Sequence, residues 1–317
     1  MTRPPKRLEA PACQLGSSSL NDATRVRDEL VAALVDRCTF PDAGTSLECA
    51  FSGGADSTAL LILGVAARCA VVAHHVDHGL RPSSGHEAAN ARTIADAVGV
   101  PFVEYRIHVD PGPNLEARAR AARTSALPDN VATGHTLDDQ AETVLANLLR
   151  GAGTGGLAAM RPSACKPLLS LRRHETEELC QAFGLRPVHD PSNHDASFRR
   201  NRIRHELLPL CDRISDRDVA PLLARAADLC RQDDDMLDDL SVAIDPTDAV
   251  ALRDASPVLA VRALRSWLTV AGYPPDRAAL ERVLDVVHGR RTACELAGGV
   301  RVARTGQRLR RIPPGAQ

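Results

Sequence analysis

Lysine is almost missing from this 317-residue chain. Only Lys6 and Lys166 occur among 39 basic residues, so the remaining 37 are arginines. Codon bias alone can produce that skew. Whatever its origin, basic contacts here are guanidinium contacts, which suit phosphates and base edges. Long apolar runs are missing too. The longest, Thr58 to Ala67, is about half of the roughly 20 residues that a membrane span needs. The opening MTRPPKRLEAP carries no apolar signal region, which argues against secretion and for a cytoplasmic protein. No two of the nine cysteines lie within four residues of each other, so a CxxC redox pair and a zinc ribbon are excluded. Reduced thiols packed as small apolar residues remain. A formal net charge of −1 gives no global signal for a nucleic-acid partner.

Two further absences concern one stretch, LECAFSGGADSTALLI at 47–62. The GxxxxGK[ST] pattern has a lysine that reaches outer phosphates, and none is near SGGADS; the GxGxxG dinucleotide fingerprint is absent as well. The stretch still reads as an anion site. Gly53 and Gly54 permit close backbone approach, and a helix beginning near Ser57 points free N–H groups at the turn. Ser52 and Ser57 add hydroxyl donors. Asp56 repels phosphate by itself and makes sense if a divalent cation bridges it to phosphate oxygens. Helix capping by Asp56 or Ser57 is the alternative.

Along the chain, residues 1–22 read as a disordered lead-in and 23–38 as an amphipathic helix. An alternation follows: strand Leu47–Phe51, helix Ser57–Arg68, strand Cys69–His74, helix Ser83–Val98, strand Pro101–Ile107, helix Asn114–Leu127, strand Val131–Thr133, helix Asp138–Arg150. Such alternation with short links predicts an α/β fold, a doubly wound, mostly parallel sheet that binds ligands along its strand C-termini. The loop Gly151–Gly156 ends the pattern with flexible backbone, and Leu168–Leu171 with Arg173–Phe183 adds one more strand–helix unit. A helical linker over 196–245 and a small α+β domain over 246–317 come after a catalytic domain at 23–195. Helices are expected at Arg199–Leu210, Asp216–Leu240, Pro257–Ala271 and Asp276–His288, and β structure over 293–312 around a Gly298-Gly299 turn. The acidic run Asp233-Asp234-Asp235 with Asp238-Asp239 reads as a solvated helix face.

SGGADS resembles the SGGxDS pyrophosphate-binding loop of the ATP pyrophosphatases, the PP-loop enzymes. Three more stretches narrow the likeness: His74-His75-Val76-Asp77-His78-Gly79-Leu80-Arg81, Gly134-His135-Thr136-Leu137-Asp138-Asp139-Gln140-Ala141-Glu142-Thr143, and Ser192-Asn193 with Phe198-Arg199-Arg200-Asn201-Arg202-Ile203-Arg204-His205. In this order and spacing they resemble the tRNA(Ile)-lysidine synthetases from about Ser46 to the C-terminus. The resemblance implies an ATP-dependent ligase acting on a minor tRNA(Ile). It adenylates the carbon-2 oxygen of the wobble cytidine in the CAU anticodon, and the ε-amine of free L-lysine then displaces AMP. ATP and Mg²⁺ are the implied cofactors, and a homodimer is a common family arrangement.

The resemblance assigns Ser52, Gly53, Gly54, Ala55, Asp56 and Ser57 to ATP, with Asp56 and Asp139 as metal ligands and Asp138 as the helix cap. It places Asp56, Asp139, Glu142 and Arg120 in catalysis. His135, His75 and Asp77 with its neighbour His78 fall where nucleotide or substrate contacts are expected. Glu116, Arg120 and Arg123 stand three to four apart on one helix face, and the resemblance makes Glu116 and Arg120 line the hole that receives a flipped-out cytidine. The apolar stripe Ala141, Val144, Leu145, Leu148 and Leu149 predicts that Asp139, Gln140 and Glu142 point outward or to an edge. Arg199, Arg200, Arg202 and Arg204 against Glu206 give a local charge of +3. Arg290, Arg291, Arg301, Arg304, Arg308, Arg310 and Arg311 against Glu295 give +6, and both clusters suit RNA phosphates.

The chain departs from the family pattern at Lys166, where an arginine is usual, and at Thr124, where an aromatic is often found. Longer members also continue into a further C-terminal domain. Among rivals, tRNA thiolases need reactive cysteines or an iron–sulfur cluster, often through CxxC pairs. Amidating relatives need a glutaminase partner or domain. A non-catalytic nucleotide sensor would need neither Asp139 with Glu142 nor the arginine clusters.

Overall fold

The computed structural model describes residues 17–77, 84–107, 115–188, 195, 197–270 and 274–315. The expected lead-in lies largely outside these residues, as do His78, Ser192 and Asn193. The chain forms two compact units. One comprises residues 1–150 and 159–224, the other 151–158 and 225–317.

In the first unit, helix α1 (Ser17–Val35) precedes strand β1 (Ser46–Ala50), helix α2 (Ala55–Ala66), strand β2 (Ala70–Asp77), helix α3 (Ser84–Val98) and strand β3 (Phe102–Arg106). The three strands are parallel in the order β1-β2-β3. Their apolar residues are buried because α2 and α3 cover the sheet, and Leu47, Cys49, Val71 and Ala73 join α2's Leu60, Leu61 and Leu63 in one core. Helix α4 (Leu115–Ala126) and helix α5 (Leu137–Leu148) follow.

Two expected strands are not formed. Val131–Thr133 shrinks to a single parallel bridge, Ala132 with Cys49, because the Thr133 N–H turns to the Cys165 carbonyl at 2.9 Å. Leu168–Leu171 is a turn closed by Leu171 N–H to Leu168 O (2.9 Å), and both leucines are sealed in the core. Pro167 cannot donate to a ladder, and the Leu171 carbonyl is taken by Leu137 N–H at the start of α5.

The short helix α6 (Thr154–Leu157) belongs to the second unit, and helix α7 (Arg173–Ala182) to the first. The expected helix Arg199–Leu210 is broken into α8 (Arg199–Arg202), a wide π turn at Ile203–Leu207, and α9 (Leu208–Ser215). Pro209 explains the break, since it lacks an N–H and crowds the carbonyl four residues back. Asp216 stands in the left-handed region (φ 51°), and α10 (Ala220–Val242) starts only with Pro221 in its first turn. None of the described helices is long and apolar enough to cross a membrane.

The second unit continues with α11 (Ala249–Asp254), α12 (Pro257–Leu268), α13 (Arg277–Val287) and the antiparallel sheet β4 (Ala293–Glu295), β5 (Arg301–Thr305) and β6 (Arg308–Ile312). Val283, Val286, Val302 and Leu309 share its core. Several of the C-terminal arginines hold this unit together. Arg304 donates to the Val287 carbonyl at the end of α13 (2.9 Å), Arg308 pairs with Asp245 (2.5 Å), and Arg290 and Arg291 pair with Asp285.

The glycine loop differs from expectation, and the acidic run differs at Asp234. Arg262 binds Asp234 and Asp238, both at 2.5 Å, and Thr154 donates to Asp234 (3.2 Å). Arg231 donates to the Ala158 carbonyl at 3.0 Å. The loop at 151–158 is therefore fastened to α10 rather than left loose, and Asp234 is largely covered, while Asp233, Asp238 and Asp239 lie on an exposed helix face as expected.

Candidate active site

The loop leaves β1 at Phe51 and reverses through Gly53, whose φ of +83° is a conformation that side-chain-bearing residues avoid. Gly54 is the N-cap of α2, and no side chain caps the helix there. Ser57 Oγ donates to Gly54 O (3.0 Å) and lies 3.2 Å from Ser52 Oγ. Neither Asp56 nor Ser57 is the cap, so the first turn keeps its N–H groups and dipole for an anion.

Asp56 turns instead toward α7. Its Oδ1 accepts Thr176 Oγ1 at 2.5 Å, and its Oδ2 lies 3.7 Å from Arg173 Nε. Burial pushes the Asp56 carboxyl up to about 6, against the opposing Thr176 bond.

The cap of α5 falls to Asp139 and not to Asp138. Asp139 closes a capping box with Thr136, accepting its backbone N–H (2.9 Å) and hydroxyl (3.0 Å) on Oδ2. Asp138 instead holds Arg172 (3.0 Å) and the Arg173 N–H (2.8 Å). Asp139 Oδ1 remains turned to Arg173, Arg200 and Arg204, at 3.1, 3.2 and 3.3 Å. Glu142 meets the same three guanidiniums at 3.2, 2.9 and 2.6 Å.

Asp139, Gln140 and Glu142 are buried, contrary to the outward position expected from the apolar stripe. The opposite face of α5 is covered by polar partners: the arginines of α7, α8 and the π turn, and the Met160 backbone bonded to Gln140. Burial works against ionisation of Asp139, but Arg173 and Arg200 hold its carboxyl below the usual range.

The remaining sequence-derived positions fall as follows. His75 is buried at the end of β2, donates Nδ1–H to Phe51 O (2.9 Å) and stacks on Phe102. Asp77 ends β2, opposite Arg106. His135 Nδ1 lies 2.7 Å from Thr133 Oγ1. Arg123 is exposed on α4, while the side chains of Glu116 and Arg120 on that helix lie outside the described residues. Arg199 and Arg202 are exposed, and Arg202 pairs with Glu206 (3.3 Å). The arginine motif thus splits by partner: Arg204, half-buried, and Arg200, itself exposed, reach the α5 carboxylates, while Arg199 and Arg202 do not.

Three residues of this cluster were not singled out in the sequence: Arg172, Arg173 and Thr176. The Arg-Arg-x-Glu start of α7 was a signal, since a charged pair directly after a buried Leu-Leu turn needs partners.

Residues 25–211 match the model of the PP-loop domain, and residues 248–310 match that of the TilS substrate binding domain. The tRNA(Ile)-lysidine synthase of Nocardia farcinica is 40% identical over 278 residues, covering 83% of this chain and 86% of that protein. The chain belongs to the tRNA(Ile)-lysidine synthase family. The tRNA(Ile)-lysidine synthase of Mycobacterium bovis is 39% identical over 282 residues, covering 81% of this chain and 85% of its own. Among solved structures, the U34-tRNA thiolase NcsA from Methanococcus maripaludis superposes with a TM-score of 0.50 at 16% identity, covering 67% of this chain and 80% of that one. That likeness is one of fold. The thiolase is described with its [4Fe-4S] cluster, whereas the cysteines of this lysidine synthase family member are too dispersed in sequence for CxxC pairs.

A magnesium ion is the cation that PP-loop chemistry implies. Among the described residues no group of three or more His, Cys, Asp or Glu side chains forms a metal cage. Magnesium does not require one, because it is held by one or two carboxylates together with substrate phosphates and water. Asp56 and Asp139 supply hard oxygen donors, and both lie within ion-pair distance of one side chain, Arg173. The donor set fits.

Proposed function

We propose that the chain joins L-lysine to the wobble cytidine of the CAU anticodon of tRNA(Ile), using ATP and releasing AMP and pyrophosphate. The product is lysidine, which pairs with A and moves the codon read from AUG to AUA. The observation that carries the site reading is the uncapped start of α2 behind Ser52-Gly53-Gly54, joined through Asp56 to the buried cluster on α5 and α7.

In the first step the cytidine carbon-2 oxygen attacks the α phosphorus and pyrophosphate leaves. The N–H groups of the α2 first turn, with Ser52 and Ser57, bind the departing phosphates and offset their charge. Asp56 and Asp139 would hold Mg²⁺, which would supply neutralisation of phosphate charge. In the second step the lysine ε-nitrogen attacks carbon 2, AMP leaves with the bonding pair, and the nitrogen gives up a proton. Arg123, Arg199 and Arg202 are the solvent-facing arginines of the first unit that meet tRNA phosphates. Arg200 and Arg204 serve instead inside the cluster. The reading places the enzyme in the cytoplasm, with its tRNA.

The test supplies purified protein with ATP, Mg²⁺, labelled lysine and either a CAU-anticodon tRNA(Ile) or elongator tRNA(Met), which shares the anticodon. Incorporation into the first and not the second is expected. No incorporation into a tRNA(Ile) shown to be active would sink the assignment.

A further inference from the structure

Arg173 opens α7, far in sequence from the phosphate loop, yet it faces three carboxylates from two other helices. Its Nε lies 3.7 Å from Asp56 Oδ2, and its Nη2 donates to Asp139 Oδ1 (3.1 Å) and Glu142 Oε1 (3.2 Å). One turn later Thr176 donates to the other Asp56 oxygen, and Thr176 is fully buried. Arg200 and Arg204 reach Asp139 and Glu142, whereas Arg173 is the one cation at ion-pair distance from Asp56 among the described residues.

The backbone of Arg173 is itself pinned. Its N–H donates to Asp138 (2.8 Å), while Glu175 caps the preceding Arg172 N–H (2.7 Å) and accepts Arg37 from the turn after α1 (3.0 Å). The side chain therefore has little freedom in where it aims.

Asp56 stands in the first turn of α2, where a carboxylate is attracted to the helix's own N–H groups and would compete with an incoming phosphate. We infer that Arg173 is a positioning residue for adenylation: with Thr176 it draws Asp56 away from the helix start, leaving that start open to phosphate, and ties it to the carboxylates of α5. This rests on the adenylation reading above.

The variant Arg173→Lys tests it. An ammonium keeps the charge but cannot face three carboxylates as the planar fork does. The variant should melt within about 3 °C of the wild type. Its kcat for tRNA-dependent pyrophosphate release should fall at least about tenfold, since misplacement by about 1 Å can cost 10²-fold. Its KM for tRNA should stay within about twofold. Thr176→Val, which removes the other hold on Asp56, should show the same split with a smaller fall. A folded Arg173→Lys protein with wild-type kcat would overturn the inference. So would a loss that appears equally in melting temperature, tRNA KM and kcat. A wild type that releases pyrophosphate but incorporates no lysine would overturn the lysidine reading and leave the role of Arg173 standing.

Discussion

A single methyl group at Gly134 is expected to disable the phosphate loop. A Cβ placed there would lie 2.6 Å from the Asp56 carbonyl oxygen, 2.7 Å from its carbon and 2.9 Å from Ser57 N. Gly134 is not among the positive-φ glycines, so alanine is excluded by space and not by backbone conformation. Carbon contacts normally open at about 3.5 Å, so one chain must retreat by on the order of 1 Å. The obstructing atoms are all backbone of the first turn of α2, and no rotamer change relieves them. Overpacking of this kind costs about 1–3 kcal/mol. The larger effect falls on rate, because the displaced atoms belong to the anion site, and a shift of about 1 Å there can lower turnover roughly 100-fold. The assay is ATP-dependent pyrophosphate release with tRNA and lysine, beside a thermal melt. Gly153→Ala is the control, since a Cβ there meets nothing within 4 Å, and it should change stability by no more than about 0.5 kcal/mol. A Gly134→Ala protein that releases pyrophosphate at the wild-type rate would refute the reasoning.

Arg199→Ala with Arg202→Ala should weaken tRNA binding and reduce its log–log salt slope by roughly 1–2, measured by filter binding across a salt series. An unchanged slope would return both residues to ordinary solvated surface. Asp245 should make the second unit acid-sensitive. Its carboxyl is held down at about 2 by Thr247 first and then Arg308, so its contribution is present above about pH 4 and lost as pH falls toward 2. Asp245→Asn should flatten that part of the stability profile in denaturant melts at pH 4.5 and 2.5, and a parallel profile would contradict this. Arg262→Ala should loosen residues 151–158, seen as faster proteolytic cutting in GAGTGG; unchanged cutting would mean that Thr154 and Arg231 suffice.

The β1–α2–β2–α3–β3 core could be read from sequence because a buried parallel strand is a short apolar run and α2 is apolar on nearly every side. The phosphate loop was equally local, since glycines, hydroxyls and a helix start lie within six residues. The face of α5 was not local. Asp139, Gln140 and Glu142 look like a polar surface in a helical pattern, and they are covered by arginines 31 to 65 residues away and, for Gln140, by the Met160 backbone. The same distance hid the difference between Asp138 and Asp139: either carboxylate suits a helix start, and the choice fell with where Arg172 arrived. Periodicity places apolar residues against apolar residues and does not register a face closed by ion pairs. The π turn was hidden for another reason, because a helical pattern continues through Leu207 and Leu208 while Pro209 changes its hydrogen bonding.

The attachment of residues 151–158 to α10 and α12 bears on how such a protein can be cut. The boundary between the units is crossed after Arg150, after Ala158 and after Ala224. A stop codon after Ala224 would remove Asp234 and Arg262 and leave Thr154 behind without these two partners. Isolating the catalytic unit therefore calls for two edits, a truncation and a short replacement for the internal loop.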